Sequence, residues 1–223
     1  FCFLTDPGPT EIYPLSRHDA LPICYEPLWA VCEELEMPVH SHSGWTPNYG
    51  AQPGSLGIFL YEITWWAHRP FHFLTWSGVF ERHPKLRFVM TEQGATWVLP
   101  TLAALDGQYE LPMFKHMRRE LPRKPSEYFK SNCYLGAAFL DGDVIAVREQ
   151  LGIDKLMWGS DYPHIEGTWP HTAERLRSAF AGVPRDECRM MLGGNAARVY
   201  GFDVAMLTKL SRELGPKADS IGG

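Results

Sequence analysis

The sequence predicts an α/β fold of parallel strands joined by helical crossovers, and three observations predict it. Short apolar runs of strand length alternate with stretches of helical periodicity from Tyr25 to Gly201. The runs close on small or polar residues, where a strand in such an arrangement gives way to a turn. The chain has 223 residues, 45% hydrophobic and 21% charged, enough for one sizeable core. The alternation alone does not separate an open doubly wound sheet from a closed barrel. No G-x-G-x-x-G or G-x-x-x-x-G-K-[ST] opens a helix, which weakens the nucleotide-binding open sheet.

The elements follow in order. Glu26-Pro27 opens a helix whose apolar positions Leu28, Val31, Cys32 and Leu35 have the spacing of one buried face. Pro38 to His42 reads as a strand closed by Ser43-Gly44. A long helical region covers 56–82, and Pro70, lacking an N–H, predicts a split into two pieces. "LRFVMT" (86–91) is the second strand, followed by a helix with Val98, Leu102, Leu105 and Tyr109 in register. "NCYLGAA" (132–138) is the third strand, and Val144, Val147 and Leu151 mark the next helix. "LMWGS" (156–160) is the fourth strand. Helices are predicted over 172–181 and 185–192, the second stopped by Gly193-Gly194. Asn195 is placed as the cap of a last short helix ending at Gly201.

Composition narrows the function. A formal charge of -5 with scattered Lys and Arg argues against a nucleic-acid or anionic-membrane partner. Five cysteines without C-x-x-C spacing predict reduced thiols and a cytoplasmic location. The richest apolar region, 57–80, is broken by Glu62, His68, Arg69 and His72, so no membrane span is expected. The start lacks both an initiator methionine and the basic-then-apolar pattern of a signal peptide. "EIYPLSRHDALPIC" (11–24) has neither strand alternation nor a helical stripe and resembles a translated sequencing adapter. Residues 1–24 are therefore read as a non-native leader on a truncated chain, and 25–223 as a partial barrel domain.

Three of the four predicted strands end in a residue able to bind metal or move a proton: His42, Glu92 and Asp161. In a parallel α/β sheet or barrel the C-terminal strand ends share one face, where active sites form. Each residue has a plainer reading. His42 is also a hydrogen-bonded core histidine, Glu92 a carboxylate paired with arginine, and Asp161 an acceptor of backbone N–H groups behind a strand. Their recurrence at equivalent positions favours a shared site. A mixed imidazole and carboxylate set suits a divalent cation, zinc or manganese, and a neighbouring carboxylate suits proton transfer. His40 points to the same side as His42 and is a candidate substrate contact. Trp45, just past the first strand, and His164, in the loop behind Asp161, are candidate substrate contacts. Trp65, Trp66, Phe71, Phe73 and Trp76 form either helix-packing surface or a contact with a second subunit, so a homo-oligomer is allowed. His72, His83 and His116 read as ordinary surface or helix residues.

At "PVHSHSG", "HPKLRFVMTEQGATWVLP", "MWGSDYPH" and "GNAARVYGFD" the chain resembles the amidohydrolase-2 family, metal-dependent hydrolases and decarboxylases related to aminocarboxymuconate-semialdehyde decarboxylase. The resemblance covers 25–203. It implies the C-terminal half of a (β/α)8 TIM-type barrel, strands five to eight. It places the strand-five metal histidine at His42 and the strand-eight aspartate, which touches metal and handles a proton, at Asp161. The strand-six position, a histidine in many relatives, is Glu92 here. A glutamate's lower intrinsic pKa, about 4.3 against about 6.5, changes when that group acts as an acid. The family's H-x-H pair on strand one is absent, which is read as truncation. The implied activity is metal-dependent hydrolysis of a small organic acid, ester, lactone or amide. Non-oxidative decarboxylation of an aromatic or unsaturated carboxylic acid is one alternative, and a non-catalytic scaffold or binding subunit another. The fragment itself is expected to be inactive and, with two open sheet edges, prone to association.

Overall fold

The computed structural model describes residues 25–215, so the leader read at 1–24 lies outside the described residues. Four strands, β1 (Val39–His42), β2 (Phe88–Thr91), β3 (Cys133–Ala138) and β4 (Leu156–Trp158), form one sheet in the order β1-β2-β3-β4. Every pairing is parallel. Helix α1 (Glu26–Glu34) precedes β1, and helices fill the crossovers: α2 (Ser55–Trp76), α3 (Val79–Arg82), α4 (Val98–Tyr109), α5 (Pro125–Asn132), α6 (Gly142–Ala146) and α7 (Arg148–Leu151). After β4 come α8 (Thr172–Ala179), α9 (Arg185–Arg189), α10 (Asn195–Tyr200) and α11 (Val204–Leu214). This is the predicted architecture, one half of a (β/α)8 barrel.

The register sorts side chains onto two faces, because successive strand residues point opposite ways. Phe88 pairs with Cys133 and Met90 with Leu135, and this set faces the helices. There they join Phe71, Val79, Phe80, Leu102, Phe129 and Leu151 in the main core. His40, Val89 and Tyr134 are in register on the other face, the barrel interior. Val89 and Tyr134 pack there with Met157 and Val199. Gly136 belongs to that interior face. A Cβ on it would lie 2.7 Å from Val89 Cγ1, so only glycine lets β3 lie this close to its neighbour.

Five helical expectations are corrected. Pro70 does not split α2, which runs unbroken through it. The missing N–H and ring clash cost about 3 kcal/mol or more, offset here by burial of Ala67, Phe71 and Leu74 on either side. The break falls instead at Gly78, whose φ of 76° is left-handed. In α1 the buried residues are Trp29 and Cys32, while Leu28, Val31 and Leu35 are exposed. Ion pairs from Glu26 and Glu33 to Arg82 and His83 set the rotation of this helix. Gly193-Gly194 does not stop the helix before it: the chain passes through a π-helical turn, Met190–Gly194, directly into α10. Asn195 is accordingly not a cap. It is buried, and its Nδ2 donates to the carbonyls of Ile153 (2.7 Å) and Leu156 (2.8 Å), tying α10 to β4. Beyond Gly201, where no helix was expected, α11 starts at Asp203, whose carboxylate accepts from the Met206 N–H at 3.0 Å.

Candidate metal centre

The C-terminal strand ends bring His42, Glu92 and Asp161 to one mouth. His42 is the last residue of β1 and pairs with Thr91, so Glu92 stands one residue past the end of β2. Glu92 still belongs to the ladder, its N–H donating to the Gly136 carbonyl at 3.1 Å. It then turns left-handed, with φ 54°, and Asp161 behind β4 does the same, with φ 56°. For a non-glycine residue this conformation costs of order 1–3 kcal/mol, and such strain concentrates at functional sites.

The side chains meet. His42 Nε2 lies 3.3 Å from Glu92 Oε2. Glu92 and Asp161 are within hydrogen-bonding reach of each other. His164 Nδ1 lies 3.2 Å from Asp161 Oδ1. Oxygens of Glu92 and Asp161 and a ring nitrogen of His164 all fall within 4.8 Å of one another. His42 borders this trio through Glu92. Loss of solvation pushes the Glu92 pKa up; the hydrogen bond with Asp161 and the Asp161 charge add to that, while His42 and His164 oppose it.

This donor set fits a divalent cation. His42 Nδ1 lies against the Ser43 carbonyl, which can only accept, so Nε2 is the ring nitrogen left for a ligand when Nδ1 carries the proton. The lone pair of Nε2 then faces a glutamate oxygen, and two carboxyl groups crowd beside it. Acceptors facing one another need a proton or a cation between them, and an imidazole and carboxylate set is that of zinc or manganese.

The loop behind β4 shapes the Asp161 side. His164 N–H donates to the Asp161 carbonyl (2.8 Å), and Gly167 N–H to the His164 carbonyl (3.1 Å). Thr168 N–H donates to the Ser160 carbonyl (2.9 Å) and closes the turn. A Cβ on Gly167 would lie 2.9 Å from each of the carbonyl oxygens of Ser160, Asp161 and His164, so glycine is required.

The remaining candidates are placed apart from the trio. His40 sits two residues earlier on β1, roughly 7 Å deeper along the strand. Its Nδ1 pairs with Thr91 Oγ1 at 2.9 Å, and its ring stacks on Tyr200 at 5.7 Å. Trp45 is exposed and meets Trp66 edge to face at 5.0 Å. Trp66 Nε1 donates to Glu62, which also accepts from Tyr49, so the β1–α2 loop is pinned to α2. That loop borders an open depression of about 530 Å³ lined by Thr46, Tyr49, Ser55 and Phe59 among others. Sequence reasoning missed Ser41, Ser43 and Gln93, which surround the site residues with hydrogen bonds. The only sequence signal was their adjacency to His42 and Glu92.

A family model described as amidohydrolase matches residues 4–202. The chain belongs to the amidohydrolase family. Among curated relatives of this amidohydrolase, the gamma-resorcylate decarboxylase of Rhodococcus jostii (strain RHA1) is 26% identical over 192 residues, covering 80% of this chain and 54% of that protein. Among solved structures, an amidohydrolase from Mycobacterium avium subsp. paratuberculosis K-10 is 24% identical with a TM-score of 0.62, over 82% of this chain and 46% of that one. A dihydroxybenzoic acid decarboxylase from Polaromonas sp. JS666, solved with manganese and 2-nitroresorcinol, is 18% identical with a TM-score of 0.60, over 80% of this chain and 54% of that one. The chain thus spans about half the length of the relatives it matches. These likenesses show a barrel-type fold.

Proposed function

We propose that this amidohydrolase chain supplies half of a divalent-metal centre acting on a small carboxylated substrate, with non-oxidative decarboxylation of an aromatic acid as the reaction. The observation that carries the reading is the convergence of Glu92, Asp161 and His164, bordered by His42, at the C-terminal strand ends. His42, Glu92 and Asp161, with His164, are the groups that would hold the cation, zinc or manganese. Once bound, the cation supplies positive charge that orients and polarises a substrate oxygen. The kinship with gamma-resorcylate decarboxylase favours decarboxylation over hydrolysis.

The chain's own residues then have distinct tasks. In decarboxylation the bond from ring carbon to carboxyl breaks, carbon dioxide leaves, and the ring carbon takes a proton. Asp161, in contact with Glu92 and His164, is the residue assigned to deliver that proton, and Glu92 to hold Asp161 in place. In hydrolysis Asp161 would instead accept a proton from the attacking water. His40 and Trp45 would contact substrate at the edges of the centre, and His164 would orient Asp161 from the solvent side.

The test is metal content and product analysis on the chain together with the rest of its barrel. One equivalent of metal, lost in His42→Ala and in Asp161→Asn, with carbon dioxide released from hydroxybenzoic acids, is the expected result. Turnover of esters, lactones or amides without carbon dioxide would replace decarboxylation by hydrolysis. No metal bound at any concentration would overturn the centre.

A further inference from the structure

The ends of β1 and β2 are cross-tied in both directions around the candidate centre. From β2, the Gln93 side-chain amide reaches back and donates to the Ser41 carbonyl (3.0 Å) and to Ser41 Oγ (2.8 Å). From β1, Ser43 Oγ–H reaches forward and donates to the Glu92 carbonyl at 3.0 Å. His42 is thus bracketed by two serines that are each fastened to β2, and Glu92 lies next to Gln93 in the chain. Gln93 is 3% exposed and Ser41 9%, so these bonds form away from competing water. A third contact backs them: the His68 ring of α2 lies against the Gln93 backbone and stacks on Trp97 with ring centroids 3.6 Å apart.

We propose that Gln93 and Ser43 are positioning residues: a reciprocal latch between the two strand ends that sets the 3.3 Å approach of His42 Nε2 to Glu92 Oε2. The physical reason is leverage. The β1–β2 ladder ends at its last pair, His42 with Thr91, and the next residue is tied by its backbone to β3 alone, with nothing in the ladder fixing it to β1. Glu92 is that residue, and it also sits in a left-handed conformation that must be held from outside. The latch lies on the helix-facing side of the sheet, so it fixes the ligands without occupying the mouth. The proposal rests on the reading of this mouth as a metal centre only for its consequence in affinity; the geometric part stands on the metal-free protein.

The experiment uses the chain together with the rest of its barrel, with Mn²⁺ as probe. Three variants cut the latch with little change in volume: Gln93→Met, Ser43→Ala and His68→Phe, the last keeping the stack on Trp97. Leu105→Ala, a core change away from the mouth, serves as control. Two quantities are read at fixed pH: the Mn²⁺ dissociation constant by calorimetry, and the His42 ring nitrogen shifts by NMR without metal. Gln93→Met is expected to weaken Mn²⁺ binding about tenfold or more, as loss of an outer-shell partner does, and to move the His42 signals. Ser43→Ala and His68→Phe should do the same to a smaller extent, while the control lowers Tm and leaves both readouts alone. If Gln93→Met fails to fold, the two milder variants decide. Unchanged affinity and unchanged His42 signals in the latch variants overturn the proposal. If the unmodified protein with its complete barrel binds no Mn²⁺, the metal reading fails, and the His42 signals alone decide the latch.

Discussion

His83 is held between two carboxylates of α1, its Nε2 2.9 Å from Glu26 Oε1 and its Nδ1 3.1 Å from Glu33 Oε2. Arg82 grips the same Glu26 with both Nε (2.7 Å) and Nη2 (2.9 Å). The Arg82 bond, opposed by desolvation and helped by His83, lowers the Glu26 pKa from 4.5 to about 2. A carboxylate depressed on folding stabilises the fold above its unfolded pKa and loses that contribution as pH falls towards the folded value. Stability should therefore drop between about pH 4.5 and pH 2 as Glu26 protonates. Discounted for solvent exposure, the pair contributes on the order of 1 kcal/mol, about 2–4 °C in Tm for a domain of this size. Thermal melts of Glu26→Gln should show that loss at neutral pH and a flatter acid limb; an unchanged acid limb would contradict it. This clasp was not legible in the sequence. His83 had no partner at helical or strand spacing, because both carboxylates lie some fifty residues upstream. His42, Glu92 and Asp161 were legible because strand ends are visible as apolar runs meeting polar residues. Gln93 was not, since nothing in the sequence distinguishes a latch from a loop glutamine.

At the scale of elements, two glycines decide whether site and sheet form. Gly136→Ala puts a Cβ 2.7 Å from Val89 Cγ1 inside the sheet. Overpacking of this kind costs about 1–3 kcal/mol, which urea unfolding should show as a lower midpoint with unchanged slope. Gly167→Ala meets three backbone carbonyls. It should weaken metal binding through Asp161 and His164 while leaving the far-ultraviolet spectrum intact. A folded Gly167→Ala protein with full affinity would remove the loop from the account. The helix α11 behaves differently. None of its residues is buried, and Val204, Met206, Leu207, Leu210 and Leu214 are exposed. Leu207→Glu should shift stability by no more than about 0.5 kcal/mol, as surface changes do. The sequence hid α11 because the Gly201 turn resembles a final stop, and it hid the passage through Gly193-Gly194 because paired glycines read as a breaker. Packing against β4, with Asn195 bonded across, overrides the glycine preference there.

Among the described residues the molecule is built on a four-stranded parallel sheet, with β1 and β4 each hydrogen-bonded to a strand on one side only. Parallel sheets expose backbone donors and acceptors at such edges, which invite pairing with other chains. No helix among the described residues is long and apolar enough to cross a membrane. Sedimentation of the chain should show association that grows with concentration; a monomer at every concentration tested would show that the edges are covered. The fold class was legible because a strand–helix alternation with parallel pairing has few solutions. The central claim is that the ends of β1, β2 and the β4 loop hold one divalent cation through imidazole and carboxylate groups. X-ray absorption on protein carrying one equivalent of zinc tests it most directly. The account predicts a shell of nitrogen and oxygen with imidazole scattering that diminishes in His42→Ala. A shell containing sulfur, or one unaltered by His42→Ala and Asp161→Asn, would contradict it.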